Sequence, residues 1–591
     1  LHTLCTFKFP EIALGACLIT ARMEKRWKIN PVNKELQEEL GRELNILPVT
    51  AQLLINRGLV DCDRAFSFLR PDLKNLYDPF LLKGMDSAVR RIVSAVTRGE
   101  KIAVYGDYDV DGTTSTALLH LFFREIGVDT LCYIPERRTE GYGLNTGAIK
   151  ALYEKGVRLI ITVDCGTSNH DEVDIARSLG IDCIITDHHE VSGDPPRACA
   201  FINPLQQGCG FPFKGLAGVG VAFNLMVALR AGLRDAGWFK DRIPNLKRYL
   251  DIVCIGTVAD MVPLVDENRV LASFGLKELN NTGRAGLKAL IDVCRIRRGK
   301  VTAENIAYQI APRINAAGRM ERADTALRLL VTGDEREAVE LARRLDRENS
   351  SRQNVEERMR REAVEMVGDG PLNRAIVLSS ENWHPGVIGI VASRLVERFY
   401  RPVVLIAVEG ETGKGSVRSI KGYNVMEGLR ECSGLLERYG GHKAAAGLTV
   451  RRDRIDDFKK AYTELLNRTL SDDDLVPEVE LDGIVSLDEV DARLVSEIER
   501  LAPFGRSNER PLLCATGTDI VHTEVVAKRH LRMMLRQSGR TRYAIAFDMA
   551  GSHPVKGGRF DVAFYPYMDE WNGSRNLRLN VKELKEQPQI P

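Results

Sequence analysis

What most limits the fold of this chain is a repeating pattern between residues 101 and 187. Short apolar runs, KIAVYGD, RLIITVD and DCIITD, each stop at an aspartate. Helix-like segments at 113–126, 145–155 and 171–179 alternate with them, and a further strand-like run, TLCYIP, follows the first helix. Runs of strand length between amphipathic helices predict a parallel α/β sheet covered on both faces. Ligands of such sheets bind beyond the carboxyl ends of the strands, which is where the unusual polar residues of this sequence stand.

Asp107, Asp109 and Asp111 follow the first run, in GDYDVDG. Asp164 ends RLIITVD, while Asp187, His188 and His189 end DCIITDHH. Asp260 follows the apolar DIVCIGTVA. Read as four strand ends, these positions bring carboxylates and imidazoles to one edge of one sheet. Carboxylates a few ångströms apart repel, and some must take up protons unless cations lie between them. Two divalent cations meet that need, and oxygen with imidazole ligands suits Mn²⁺ or Mg²⁺. Two such ions about 3.5–4 Å apart recur where phosphoesters are cleaved, activating a water and stabilising charge on the attacking and leaving oxygens. Singly the motifs say less. A DxDxD string also serves as a calcium or solvated loop, a His-His pair is often a surface feature, and Asp260 alone reads equally as a helix cap.

The 591 residues exceed what one hydrophobic core supports, so three or four domains are expected. With 44% hydrophobic and 28% charged residues the composition is that of a soluble globular protein, and no apolar run reaches the roughly 18 residues of a membrane span. The net charge is only +2, so a nucleic-acid site must come from local clustering. The 12 cysteines form no CxxC pair, which points to a reducing, cytoplasmic setting. Residues 1–22 lack the basic start and small-residue cleavage site of a signal peptide, the chain does not begin with Met, and Met23 opens a helix-like stretch, MEKRWKI. Residues 1–22 are therefore read as an upstream extension or a misassigned start.

Residues 336–366 are highly charged and hold no Pro or Gly. They predict a long helix, either joining two lobes or lying on the surface of one. A second α/β pattern follows: AIVLSS, a helix at 387–399, PVVLIAV and a helix at 456–466. Gly440, Gly441, His442 and Lys443 read as a loop whose N–H groups cradle phosphate, or else as a tight turn packed on a helix. Ser416 and Arg418, in GSVRS, fall on one face of a strand and suit a terminal phosphate, with Arg137 a further candidate. Arg313, Asn315 and Arg319, in APRINAAGR, either line a channel or lock the lobes together. After Pro503, PLLCATG, YAIAFDM and FDVAFYPY predict a small β-barrel. Residues 528–542 hold Lys528, Arg529, Arg532, Arg536, Arg540 and Arg542 without an acid. That run is either a solvated face or a track for a single-stranded backbone.

GDYDVDGTTS, VDCG, TDHHE and GTVADMVPL resemble, in order, the four motifs of DHH-superfamily phosphoesterases, in particular those of the RecJ-type exonuclease family. The resemblance continues through IPERRTEGYGL, APRINAAGRM, WHPGVIGIVASRL, GKGSVRS, GGHKAAAG and LAPFGRSNERP, and spans residues 45–591. It implies a parallel-sheet DHH domain at 86–335, a connecting helix at 336–372, a smaller α/β DHH-associated domain at 373–475 and an OB-like barrel at 476–591, preceded by a helical segment at 23–85. It implies that Asp164 bridges two metals, that Asp109 binds the first, and that Asp111, His188 and Asp260 bind the second. Many DHH enzymes carry a histidine where this chain has Tyr105, and Asp107 is the nearest substitute. Asp187 is expected to orient a neighbouring histidine, and His189 to contact phosphate or move a proton. The implied activity is 5′→3′ hydrolysis of single-stranded DNA to 5′-mononucleotides in repair and recombination. A single-strand-binding protein and a RecQ-type helicase are the implied partners of a monomer. Small-substrate DHH hydrolases need neither the long helix nor the barrel. A catalytically dead relative serving as a replication scaffold would lose ligands that this chain keeps.

Overall fold

The computed structural model describes residues 25–587 except 138, 241, 321–323, 553–557 and 572–573, so residues 1–22 lie outside it. Two compact units emerge: Lys34–Ser471 with Glu497–Arg510, and the remainder.

The described chain starts on a strand, β1 (Arg26–Ile29), where MEKRWKI predicts a helix. Tertiary context overrides the local pattern. Trp27 packs against an apolar cluster of Leu481, Cys514 and Ala563, and the strand pairs in parallel with residues 478–481.

The larger unit is built on five parallel strands: β2 (Lys101–Gly106), β3 (Thr130–Tyr133), β4 (Val157–Val163), β5 (Asp182–Thr186) and β6 (Ala200–Ile202), in the order β3-β2-β4-β5-β6. The two-residue side-chain period sorts β2 between two cores. Ile102 and Val104 meet the helices Met85–Arg98, Val110–Glu125 and Gly218–Asp235. Ala103 and Tyr105 meet Thr146–Glu154 and His170–Ser178 on the other face. Asp260 does not follow a strand. The run before it forms the helix Leu250–Ala259, buried from Leu250 to Val258. A continuous apolar run is the signature of either a buried strand or a buried helix, and this one has helical length.

The charged segment forms one 33-residue helix, Glu335–Val367. Ala338, Leu341, Ala342 and Leu345, at helical spacing, enter the core of the sheet domain, whereas Met359 and Ala363 enter the core of the next lobe. The helix therefore joins two lobes. The second lobe carries β7 (Ile376–Ser380), β8 (Val403–Glu409), β9 (Thr412–Arg418), β10 (Arg438–His442) and β11 (Ala445–Arg451), ordered β10-β11-β9-β8-β7.

The segment Glu497–Arg510 packs within the larger unit. Arg269, 2% exposed, donates to the carbonyls of Phe68 (2.8 Å), Leu501 (2.7 Å) and Arg500 (3.0 Å) and lies over the Phe68 ring. Arg269→Ala leaves three carbonyls short of a donor, for an expected loss of about 3 kcal/mol or more. Urea denaturation reads that loss, and a midpoint within error of the wild type would contradict it.

In the smaller unit β12 (Glu478–Leu481) partners β1. It is followed by β13 (Gly483–Ile484), β14 (Leu513–Val526), β15 (His530–Gln537), β16 (Arg540–Ala546), β17 (Arg559–Trp571) and β18 (Ser574–Glu586). The order β13-β14-β15-β16-β18-β17, with β14 also pairing β17, closes a five-stranded barrel. Closure removes the sheet edges that would otherwise stand unpaired.

Candidate metal centre

The loops after β2, β4 and β5, the first turn of the helix Val110–Glu125 and the end of the helix Leu250–Ala259 bring seven of the predicted residues together. Three sets of ligand atoms lie within 4.8 Å of one another: Asp107, Asp109 and Asp164; Asp111, His188 and Asp260; and Asp164, His188 and His189. His188 Nε2 stands 3.1 Å from Asp164 Oδ1, 3.6 Å from Asp260 Oδ2 and 3.8 Å from Asp111 Oδ2. Asp164 is common to two sets and stands between the other carboxylates.

Local structure holds each group in place. Asp164 sits in the left-handed region at φ +61°, a strained conformation that surrounding structure must enforce. A Cβ at Gly218 would come within 2.7 Å of Asp164, so only glycine fits at that approach. Gly218 also begins the helix Gly218–Asp235, whose first N–H groups clamp Asp111: Gly218 N donates to Oδ2 (2.6 Å) and Val219 N to Oδ1 (2.8 Å). Asp109 caps the helix Val110–Glu125 by accepting from Gly112 N (3.0 Å). Asp187, fully buried, accepts from Thr167 N (2.9 Å), His188 N (2.8 Å) and His189 Nδ1 (2.7 Å). Burial alone would raise its pKa, but the hydrogen bonds and charge of His189, with those of Thr167, hold it at about 2. Tyr105 turns away from the cluster. Its hydroxyl donates to Gly143 O (3.0 Å) and its ring stacks on Tyr133.

The donor set fits divalent cations. Asp107 Oδ1, Asp164 Oδ1, His188 Nε2 and Asp260 Oδ2 are buried atoms without a hydrogen-bond partner, a costly state unless an ion meets them. Burial, followed by Asp109, pushes Asp107 up to about 8 and Asp111 up to about 7. Burial with Asp111 and Asp109 pushes Asp260 up to about 9 and Asp164 well above the usual range. Burial and the neighbouring His189 lower His188 to about 4, leaving a neutral imidazole suited to ligation.

A pH dependence follows. In the metal-free native state these carboxyls hold protons at pH values where the unfolded chain, with pKa about 4, has released them. The unfolded state binds fewer protons, so metal-free stability falls as pH rises from about 4 through the raised values near 7–9. A cation takes the place of the protons, so stabilisation by Mn²⁺ is expected to grow over the same window. Melting temperatures in chelator and in excess Mn²⁺, at about pH 6 and about pH 9, measure it. A Mn²⁺ shift that is flat or shrinks with pH would contradict the assignment.

Beside the centre lies a cavity of about 910 Å³ lined by Arg137, Thr139, His384, Lys414, Ser416, Arg418 and Gly441, among others. Ser416 and Arg418 share a face of β9, with Arg418 Nη1 donating to Ser416 Oγ (2.9 Å). Gly389 makes room for them, since a Cβ there would lie 2.8 Å from Arg418 Nη2. Burial, then the like charge of Arg137, lowers the pKa of Arg418. Two guanidinium groups in one cavity, neither paired with a carboxylate among the described residues, give it the charge to attract an anion.

Other predicted residues stand differently. Gly440, Gly441 and His442 do not form a loop; they are the exposed edge strand β10, paired with β11. Gly441, at φ +145°, pairs with Ala446 at a point where a Cβ would lie 2.5 Å from Ala445 O, so the glycines serve a close strand pairing. Arg313 is committed to Asp346 of the long helix (2.9 Å) and to Gln309 O (2.8 Å), a contact within the sheet domain, where Leu345 joins the same core. Asn315 is half-buried on the same helix, Ala311–Met320, and the Arg319 side chain lies outside the described residues. The basic run forms the hairpin β15–β16, but its charges are largely answered. Arg529 pairs with Asp548 (2.6 Å), Arg532 with Glu524 (3.1 Å), Arg536 with Asp519 (3.8 Å) and Arg540 with Asp488 (2.9 Å). The acids lie outside the basic run itself, so the run read alone does not show them. Lys528 sits at φ +59°, where the chain turns into β15.

The sequence reading missed Tyr142, Thr167 and Asn203. Asn203 Nδ2 donates to His189 O (2.9 Å) and to Thr167 Oγ1 (3.2 Å), and the Tyr142 hydroxyl meets Asp164 and His189. The one local signal was the lone aromatic between glycines in EGYGL.

Comparison with known proteins agrees with this architecture. Residues 101–257 match the model of the DHH family N-terminal domain, 372–468 the DHHA1 domain and 481–583 the RecJ OB domain. The chain is 39% identical over 565 residues to the single-stranded-DNA-specific exonuclease RecJ of Bacillus subtilis, covering 94% of this chain and 70% of that one. It is 36% identical over 570 residues to RecJ of Escherichia coli, covering 93% and 98%. The crystal structure of RecJ in complex with Mn²⁺ from Thermus thermophilus superposes with a TM-score of 0.82 at 32% identity, covering 96% of this chain and 80% of that one.

Proposed function

The chain belongs to the RecJ family of single-stranded-DNA-specific exonucleases, and from that premise we propose that it hydrolyses single-stranded DNA from the 5′ end at a two-metal centre. It is a hydrolase using Mn²⁺ or Mg²⁺. The observation that carries the mechanism is the pair of ligand sets Asp107–Asp109–Asp164 and Asp111–His188–Asp260, with Asp164 Oδ1 3.1 Å from His188 Nε2 and unpartnered buried atoms in both.

Asp107, Asp109 and Asp164 would hold one cation, and Asp111, His188, Asp260 and Asp164 the other. Bound there, the cations lower the pKa of water and neutralise charge on the phosphate. The chain supplies the rest. Asp187 fixes the His189 ring through Nδ1, which leaves Nε2 for a phosphate oxygen or a proton in transit. Arg137, Ser416 and Arg418 receive the 5′ phosphate, and 5′-mononucleotides leave. The lobes divide the work: residues 86–335 carry the chemistry, 373–475 complete the phosphate cavity, and the barrel binds the strand. In this reading the chain works as a monomer in the cytoplasm in repair and recombination, with a single-strand-binding protein and a RecQ-type helicase as partners. No helix among the described residues is long and apolar enough to cross a membrane.

The test is degradation of strands labelled at one end, with Mn²⁺. Immediate release of a labelled mononucleotide from the 5′ label, delayed loss of a 3′ label and no release from blunt duplex are expected. Early release from the 3′ label would contradict the polarity.

A further inference from the structure

One loop, described at residues 134–137 and 139–145, reaches both halves of the site. Near its start Glu136, Arg137 and Thr139 line the phosphate cavity. Near its end the Tyr142 hydroxyl donates to the backbone carbonyl of Asp164 (3.2 Å) and stands 3.0 Å from His189 Nδ1. Because His189 Nδ1 also lies 2.7 Å from the Asp187 carboxylate, that nitrogen carries the proton, and the phenol oxygen accepts from it. One hydroxyl thus holds the strained backbone of Asp164 and the ring of His189 together.

The loop between the two ends is braced as a strut. Glu140 Oε1 accepts from the Tyr133 hydroxyl (2.6 Å) and from Asn145 Nδ2 (3.0 Å), and its Oε2 accepts from Glu136 N (2.6 Å). Thr139 Oγ1 donates to Glu136 Oε2 (2.9 Å). Gly141 and Gly143 flank Tyr142 at φ +83° and +84°, and a Cβ at Gly143 would lie 2.4 Å from Asn169 Oδ1. At the cavity end Arg137 lies over the ring of Tyr108, between Asp107 and Asp109. The bonds from Glu136 to Thr139 and Glu140 tie the cavity end of the loop to the Tyr142 end.

We propose that Tyr142 is a positioning residue that couples occupation of the 5′-phosphate cavity to the geometry of the metal centre. An anion on Arg137 sets the strut, and the strut sets Asp164 and His189 through the phenol hydroxyl. The inference rests on the 5′-exonuclease reading above and deepens it: the terminal phosphate raises kcat as well as affinity. The required movement is small, since misplacing reacting groups by about 1 Å costs about a hundredfold in rate.

The experiment measures kcat and KM with Mn²⁺ on matched strands bearing a 5′ phosphate or a 5′ hydroxyl, for the wild type, Tyr142→Phe, Arg137→Ala and the double variant. The wild type is expected to show a kcat advantage of about tenfold on the phosphorylated strand. In Tyr142→Phe that advantage falls to within about twofold of parity, with KM changed by no more than about twofold. In the double variant kcat is no lower than in the slower single variant, because both cut the same link. An equal kcat loss on both strands would overturn the proposal, reducing the hydroxyl to a prop for the metal centre. So would fully multiplicative losses in the double variant, or an unaltered kcat. Loss of the Mn²⁺-induced melting shift in Tyr142→Phe would assign the hydroxyl to metal retention and overturn it as well. Wild-type protein that cleaves neither strand overturns the exonuclease reading itself, a failure distinct from active protein with uncoupled variants.

Discussion

Asp164→Asn is expected to abolish hydrolysis of single-stranded DNA while leaving a folded protein. Asp164 belongs to the set with Asp107 and Asp109 and lies 3.1 Å from His188 of the set with Asp111 and Asp260, so one substitution removes a charge beside both cation sites. A fall of about 10⁴-fold or more corresponds to about 5.5 kcal/mol of lost transition-state stabilisation. Asparagine is the informative replacement because position 164 lies at φ +61°, which Asn tolerates better than most residues. Alanine would add a backbone cost to the chemical one. Asp164→Ala is nonetheless expected to fold, since deleting a carboxylate relieves repulsion with Asp111, Asp109 and Asp260. For the same reason the melting temperature in chelator should hold or rise in Asp164→Asn, with Asp164→Ala below it by the backbone cost. Initial rates on a 5′-labelled strand with Mn²⁺, paired with melts in chelator, give both readings. A folded Asp164→Asn protein turning over near the wild-type rate would contradict the two-metal assignment.

The second large effect is expected at Arg418. A terminal phosphate carries about −1.5 to −2 charge where an internal diester carries −1. The guanidinium of Arg418 stands beside the Ser416 hydroxyl and near Arg137, in a cavity of about 910 Å³. Arg418→Ala should therefore raise KM for 5′-phosphorylated strands far more than for 5′-hydroxyl strands. Loss of a charge-assisted bond of about 1.5–3 kcal/mol predicts roughly a ten- to hundredfold difference. Arg418→Lys should restore only part of it, because an ammonium returns the charge but not the planar fork. The measurement is steady-state KM for both strands at fixed salt. Equal losses would make Arg418 a general backbone contact and leave the polarity unexplained.

How much of this was legible in the sequence depends on what each residue answers to. The strands ending at Asp107, Asp164 and Asp187 were legible because a parallel sheet buried on both faces needs continuous apolar runs, and a run that stops at an acid marks the strand end. Ser416 and Arg418 were legible for the same reason: two-residue spacing in a strand is a statement about faces. Asp260 was placed in the cluster but on the wrong element, since a buried helix and a buried strand share one composition. The cluster of barrel arginines was legible, but the pairing of four of them with Asp488, Asp519, Glu524 and Asp548 was not, because those acids lie outside the basic run. Arg269 and Tyr142 were not singled out at all. What they do is set by backbone carbonyls more than 20 residues away, of Leu501 for one and of Asp164 for the other, and no local pattern announces such a partner.

The account turns on two cations sharing Asp164, and anomalous diffraction from crystals grown with Mn²⁺ tests that most directly. Two peaks are predicted, about 3.5–4 Å apart, one bounded by Asp107 and Asp109 and the other by Asp111, His188 and Asp260, with the Asp164 carboxylate touching both. A single peak, or two peaks of which only one touches Asp164, would contradict it.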